Sequence, residues 1–255
     1  MSPTPVRLVI SGCCGRMGAR IATLAHADRA FAIVGALEHA GHACLGRDVG
    51  ECLGFGRTGV HITDRAETVL SAGCVLIEFT SPDATIEHLA VAQRRNAAMV
   101  IGTTGLTDTQ QRKIVAAAKR IPIVAAPNMS VGVNLLFELA AQAAGRLGPE
   151  YQTEIIEAHH RAKQDAPSGT AKRLAAVVAD ARRQPVARIP VHAIRAGDIV
   201  GDHTLLIAGP GERLELTHRA HSRDTFARGA LRAAAFVAAQ KKPRLFSMRD
   251  VLQGA

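Results

Sequence analysis

The sequence predicts an α/β fold: a parallel sheet with helices on its faces in the N-terminal half, followed by a second α+β domain with a mixed sheet. Three observations lead there. Short apolar runs alternate with segments of helical period as far as about residue 130. A glycine-rich turn separates the first run from the first helix. After Asn134 the pattern changes to a long Ala- and Leu-rich helix followed by segments that alternate like half-buried strands.

Residues 6–11 are an apolar run of the kind buried on both faces of a parallel sheet. Residues 12–18 are the glycine-rich turn, and Met17, Ile21, Leu24 and Ala25 then recur at helical spacing. A second strand, 31–37, ends at Glu38, and the glycine-dense stretch 41–59 reads as a loop. A third strand spans 74–79. Ser81-Pro82 reads as an N-cap followed by proline at the first helical position. A fourth strand, 99–101, runs into Gly102-Thr103-Thr104-Gly105, and Thr107 and Gln110 have capping-box spacing. A fifth strand spans 121–125. The turns after strands one, two, four and five belong to one ligand-binding surface, because open parallel sheets bind ligands beyond the carboxyl ends of their strands.

Farther on come a helix at 135–147 and a strand at 154–159, whose His-His-Arg-x-Lys stretch passes into a loop. Ser168 caps another helix. Strands follow at 191–194, 204–208 and 214–220, then a helix at 226–240, and the tail from Pro243 returns to the first domain. The domains are expected at 1–130 with 241–255, and at 131–240.

Composition narrows the function. The chain has 255 residues, 47% of them hydrophobic, with seven Phe, one Tyr and no Trp. No apolar run is long enough to span a membrane, and the N-terminus lacks the pattern of a secretion signal, so a cytoplasmic protein is expected. The five cysteines form no C-x-x-C pair; they read as reduced thiols, and no metal site is expected. The formal net charge of +9 is spread over helix faces, with few aromatics for base stacking. It suits anionic small molecules better than nucleic acid.

The turn Gly12-Cys13-Cys14-Gly15-Arg16-Met17-Gly18 lies between a strand and a helix, and Glu38 ends the next strand about 20 positions on. Glycines there permit close approach of phosphate to a helix N-terminus, and the carboxylate can bind ribose hydroxyls. This is the pattern of a Rossmann-type dinucleotide site. Cys14 replaces the second glycine of the usual motif. Cys13 and Cys14 read first as small residues filling a turn; the alternative is that the nearby helix N-terminus lowers their pKa values and that their modification blocks the cofactor. In the second domain, His159 and His160 can exchange protons near neutral pH, and Arg161 and Lys163 make the region electropositive. The N–H groups of Gly169 and Thr170 suit a carboxylate. Together these suit a dianionic substrate that gains a proton on reduction.

The chain resembles the 4-hydroxy-tetrahydrodipicolinate (dihydrodipicolinate) reductase family of bacterial lysine and diaminopimelate synthesis. The resemblance rests on GCCGRMG, EFTSP, IGTTGL, APNMSVGVN, EIIEAHHRAKQDAPSGTA, RAGDIVGDHT and HRAHSRDTFARGAL, and runs nearly end to end. It implies that Gly12, Cys13, Cys14, Gly15, Arg16 and Met17 bind the pyrophosphate and Glu38 the ribose. Gly102, Thr103, Thr104, Ala126, Pro127, Asn128 and Met129 would line the nicotinamide half. His159 would be the acid/base, Lys163 a proton donor, and His160, Gly169 and Thr170 substrate ligands. The implied cofactor is NADH or NADPH, the implied substrate a small dicarboxylate, and the implied assembly a homotetramer built through the second domain. His39 stands where a basic arginine often follows the acid, which favours NADH. The link between Asp180 and Val191 is shorter than in many members. Two other readings stay open: a Rossmann-type oxidoreductase acting on another small carbonyl or imine, and a non-enzymatic dinucleotide sensor.

Overall fold

A computed structural model describes residues 4–254. Residues 1–3 and 255, inside the expected domain limits, lie outside the described residues. The chain divides into two compact units, Met1–Ser130 with Phe226–Ala255, and Val131–Thr225. Among the described residues, no helix is long and apolar enough to cross a membrane.

The first unit is a seven-stranded parallel sheet. Its strands are β1 (Val6–Ser11), β2 (Phe31–Leu37), β3 (Ile62–Thr63), β4 (Cys74–Glu78), β5 (Ala98–Ile101), β6 (Ile123–Ala125) and β11 (Leu245–Phe246). They lie in the order β11-β6-β5-β4-β1-β2-β3, so the order reverses between β1 and β4. Its helices are α1 (Arg16–His26), α2 (Val49–Leu53), α3 (Ala66–Val69), α4 (Pro82–Arg95), α5 (Asp108–Ala117), α8 (Asp224–Ala238, which begins two residues before this unit resumes) and α9 (Met248–Gln253). Leu8, Val9, Leu76, Ile77, Met99 and Val100 are wholly buried, as central strands covered on both faces require. The cap signals hold: Ser81 accepts the Ala84 N–H, and Thr107 and Gln110 form a reciprocal box.

Three pieces were too short for periodicity to reveal: β3, α3 and β11. The stretch 41–59 is also not all loop, because Asp48 caps α2 inside it. The buried Asp48 carboxylate accepts N–H groups from Gly50, Glu51, Thr58 and Gly59, pinning both limbs of the excursion. Helix α8 lies with the first unit, whereas the sequence reading ran the second domain to 240. A Cβ at Gly229 would fall 1.7 Å from the Met129 carbonyl oxygen, so only glycine permits that contact within the first unit.

The second unit has α6 (Val131–Arg146), β7 (Gln152–His159), α7 (Gly169–Ala181), a 3-10 turn (Val186–Arg188), β8 (Val191–Arg195), β9 (Gly201–Gly209) and β10 (Glu212–Ala220). The sheet order is β10-β9-β7-β8. β7 and β8 are parallel and the other pairs antiparallel, so the sheet is mixed, as predicted. Leu136, Ala140, Ile155, Leu174, Val178, Leu205 and Ile207 form the core between helices and sheet. The β7–α7–β8 crossover positions the residues predicted in the second domain. It sets the N-terminus of α7 beyond the carboxyl end of β7, where His159 stands.

Candidate functional site

The structure places the predicted residues in two groups, one on each unit. In the first, β1 delivers the chain to Gly12, whose φ of +63° suits glycine. The Gly15 N–H donates to the Gly12 carbonyl at 2.9 Å, and Gly15 occupies the cap position of α1. A Cβ at Gly18 would lie 2.0 Å from the Gly12 oxygen, so the helix can meet the strand end this closely only with glycine there. The first N–H groups of α1 therefore open beyond β1, at the reversal in strand order. Glu38, past β2, reaches this turn: its Oε2 accepts the Cys14 N–H at 3.1 Å and its Oε1 the His39 N–H at 3.1 Å. The set fits a dinucleotide, with amide donors and the exposed Arg16 for phosphate and a carboxylate for a ribose diol.

Sequence reasoning gave no role to Phe79 and Thr80, though EFTSP contains both. The Phe79 ring occupies the space a Cβ at Gly102 would need, 2.2 Å away. The Thr80 N–H donates to Thr103 Oγ1 at 3.2 Å, and the Thr80 hydroxyl donates to Glu78. Gly12, Thr80, Gly102 and Thr103 are thereby drawn together. Below them Glu78 pairs with His88 at 2.8 Å. Burial pulls the His88 pKa down, but the Glu78 carboxylate outweighs it and raises the imidazole above its ordinary value.

Thr103, Thr104, Ala126 and Pro127 line a mostly apolar cleft of about 360 Å³, with Leu106, Ile114 and Leu245 among its walls. Asn128 Oδ1 accepts the Ser130 N–H at 2.8 Å. The Cys13 and Met129 side chains are buried in the protein, so these two residues can offer a ligand only backbone. The alternative of acidic thiols is overturned. Burial pushes Cys14 up to about 11 and Cys13 higher still.

In the second unit, β7 carries Glu157 and His159 on its buried face. Glu157 is wholly buried and takes four donors. Its Oε1 accepts Arg195 Nη2 at 2.8 Å and the Ser168 N–H at 3.1 Å. Its Oε2 accepts Arg195 Nη1 at 2.8 Å and lies 2.5 Å from His159 Nδ1. A carboxylate only accepts, so Nδ1 carries the proton and Nε2 keeps the lone pair. Nε2 lies against Gly201, where a Cβ would approach it to 3.1 Å. Burial lowers the His159 pKa, and the charges of Lys163 and Arg195 add to it against the pull of Glu157. Glu157 itself is held below the carboxylate range: burial opposes this, but the Arg195, His159 and Ser168 donors prevail.

The His203 ring packs edge-on to His159, with centroids 5.2 Å apart, and its Nε2 lies 3.1 Å from Ser168 Oγ. Burial, then the neighbouring His159, drives the His203 pKa down to about 4. Ser168 is thus joined to Glu157 and His203 while its Oγ accepts the Ala171 N–H. A Cβ at Gly169 would meet nothing within 4 Å, so the first turn of α7 is open at that point. Lys163 pairs with Asp165 at 2.7 Å on the loop between β7 and α7, and the half-buried His160 accepts the Lys163 N–H through its carbonyl. Glu157, Arg195 and His203 were not singled out from sequence. The alternation of β7 marked Glu157 as facing the same way as His159, and that was the available signal.

Residues 6–129 match the family model described as dihydrodipicolinate reductase, N-terminus, and residues 132–252 match its C-terminus. The chain is 44% identical to the 4-hydroxy-tetrahydrodipicolinate reductase of Magnetococcus marinus, over 97% of this chain and 98% of that protein. It is 47% identical to the one from Thiobacillus denitrificans, with the same coverage. Among solved structures, a dipicolinate-bound dihydrodipicolinate reductase from Paenisporosarcina sp. TG-14 superposes with a TM-score of 0.80 at 26% identity, covering 95% of this chain and 97% of that one. With both halves of the family's pattern present on a Rossmann-type sheet and a mixed four-stranded sheet, this chain belongs to the dihydrodipicolinate reductase family.

Proposed function

We propose that the chain reduces 4-hydroxy-tetrahydrodipicolinate to tetrahydrodipicolinate, with loss of water, at the expense of NADH or NADPH. One observation carries the reading: a buried carboxylate locks the His159 tautomer beside an open helix start on an electropositive loop. The reduced nicotinamide supplies the hydride when bound. The chain's own groups do the rest. Gly12, Gly15, Arg16 and Glu38 hold pyrophosphate and ribose. Gly169 and Thr170 present N–H groups to a substrate carboxylate without reorganisation, and His160 adds a second contact. Lys163 exchanges Asp165 for the substrate and supplies a proton, while His159 Nε2 holds or releases one. A positioned acid of this kind contributes about 10²–10⁴-fold in rate.

NADH is the favoured donor. The His39 Nδ1 is engaged with the Ala40 carbonyl at 2.9 Å, and a histidine here lacks the forked donors of a guanidinium, which suits a ribose better than a 2′-phosphate. The sheet face bearing Ile156 and Ile194, each more than a third exposed, supports a homotetramer built through the second unit. A cytoplasmic location is part of the same reading; among the described residues no helix is long and apolar enough to cross a membrane.

The test is oxidation of NADH or NADPH by the purified chain, with substrate generated in situ. Turnover with this substrate, absent with simple aldehydes and imines, is the expected result. Turnover of another carbonyl compound alone favours the broader oxidoreductase, and binding without turnover favours a sensor.

A further inference from the structure

The sequence scatters its cysteines without a chelating pair, but the fold gathers them. Cys14 leaves the turn after β1, and His42 and Cys44 come from the excursion after β2. The ligating atoms of Cys14, His42 and Cys44 lie within 4.8 Å of one another, and all three residues are half-buried. Tetrahedral zinc, with bonds of about 2.3 Å to sulfur and 2.0–2.1 Å to nitrogen, needs its ligands about 3.6–3.8 Å apart. Small side-chain rotations close that difference. The Leu45 N–H donates to the His42 carbonyl at 3.1 Å and closes a turn around Cys44; the Cys44 N–H donates to His42 Nδ1 at 3.1 Å, and ligation replaces that bond, either by using Nδ1 itself or by moving the ring proton from Nε2 to Nδ1. Cys52 interacts with Cys44 and is the candidate for a fourth ligand, a third sulfur. The donor set, thiolates with one imidazole, is the one zinc prefers over magnesium or calcium.

We propose that Cys14, His42 and Cys44 bind a zinc-type cation, and that an ion there excludes the dinucleotide. The second part rests on the dinucleotide reading above. Cys14 belongs to the turn assigned to pyrophosphate, and its N–H is the group that Glu38 holds. A metal drawing the Cys14 sulfur towards Cys44 moves that turn. Binding displaces the thiol protons to solvent, so it strengthens as pH rises.

Cobalt(II) and Zn²⁺ are the probes. The metal-free chain titrated with Co²⁺ should show a thiolate-to-metal charge-transfer band and tetrahedral d–d bands, saturating at one ion per chain. Zn²⁺ should bleach both. Cys44→Ser and His42→Ala should lose the bands. Cys74→Ser, in the buried strand β4, should keep them and shows that loss is not a general effect of removing thiols. In parallel, NADH binding is followed by its fluorescence. With free Zn²⁺ at ten times its own dissociation constant, apparent NADH affinity should fall by about tenfold, recover on chelation, and be unaffected by Zn²⁺ in Cys44→Ser. No charge-transfer band, or a band that survives Cys44→Ser, overturns the site. A bound ion with undiminished NADH affinity overturns the exclusion. Failure of the metal-free chain to bind either NADH or NADPH overturns the dinucleotide reading and the exclusion built on it, while the cobalt spectra still decide the site.

Discussion

Glu157→Gln is nearly isosteric, yet no orientation of the new amide satisfies the site. Each carboxylate oxygen now faces two donors: Arg195 Nη2 and the Ser168 N–H on one side, Arg195 Nη1 and His159 Nδ1 on the other. If the amide NH₂ faces Ser168, two donors oppose two donors. If it faces His159, the ring must shift its proton to Nε2 to accept, and that nitrogen loses its lone pair. Either way Arg195 loses its counter-charge. Removing one partner of a buried pair costs about 3–5 kcal/mol. The Arg195 side chain is 18% exposed and regains some water, which favours the lower end. With a urea dependence of about 1–3 kcal/mol per molar, a loss of about 3 kcal/mol lowers the unfolding midpoint by about 1–3 M. The chain provides its own probe, because its one tyrosine, Tyr151, lies in the second unit and there is no tryptophan. Tyrosine emission in urea therefore follows this unit alone. Glu157→Leu combined with Arg195→Met should recover part of the midpoint but none of the turnover, since the charges are gone and the tautomer is unlocked. A Glu157→Gln midpoint equal to that of the wild type would refute the view that this network holds the unit together.

His159→Gln and Lys163→Ala should each lower turnover by about 10²–10⁴-fold while leaving NADH affinity, read by fluorescence, within about a factor of two; near-normal turnover in both removes the assigned chemistry. Gly18→Ala places a Cβ 2.0 Å from a backbone oxygen, so the turn must open; NADH binding should be lost, at a stability cost of about 1–3 kcal/mol, and unaltered NADH affinity would contradict the packing argument. His203 titrates near 4 when folded and near 6.5 when unfolded. Between those values the unfolded chain binds more protons, so stability should fall as pH drops from about 6.5 to about 4, by up to about 3 kcal/mol. The buried His159 and the half-buried His218 act in the same direction. Urea midpoints across that window should show the slope, His203→Gln should flatten it, and a flat wild-type profile would count against it.

The first unit was largely legible because its signals are local. A buried parallel strand is a run of apolar residues, and a cap is a pair of residues three apart. β3 and β11, of two residues each, offered too little pattern to register. Asp48 looked like a loop acid until its carboxylate was found to gather both limbs of the stretch 41–59. The site residues were proposed from sequence where the chemistry is written consecutively, as in residues 159–170, and were missed where it depends on pairing. Arg195 meets Glu157 only because β8 lies parallel to β7, and the intervening helix hides that in sequence. The acidic-thiol alternative failed because a helix N-terminus is visible in sequence and burial is not.

The register of β7 against β8 sets His159 opposite Arg195, and the zip continues past the strands, with Arg161 donating to the Gly197 carbonyl. The two strands thus work as an alignment jig whose setting does not depend on how the chain travels between them. The connection from α7 to β8 is free to shorten or lengthen over generations without moving the guanidinium off the acid. A single residue added to β8 would instead turn its side chains to the opposite face and silence the site at a stroke.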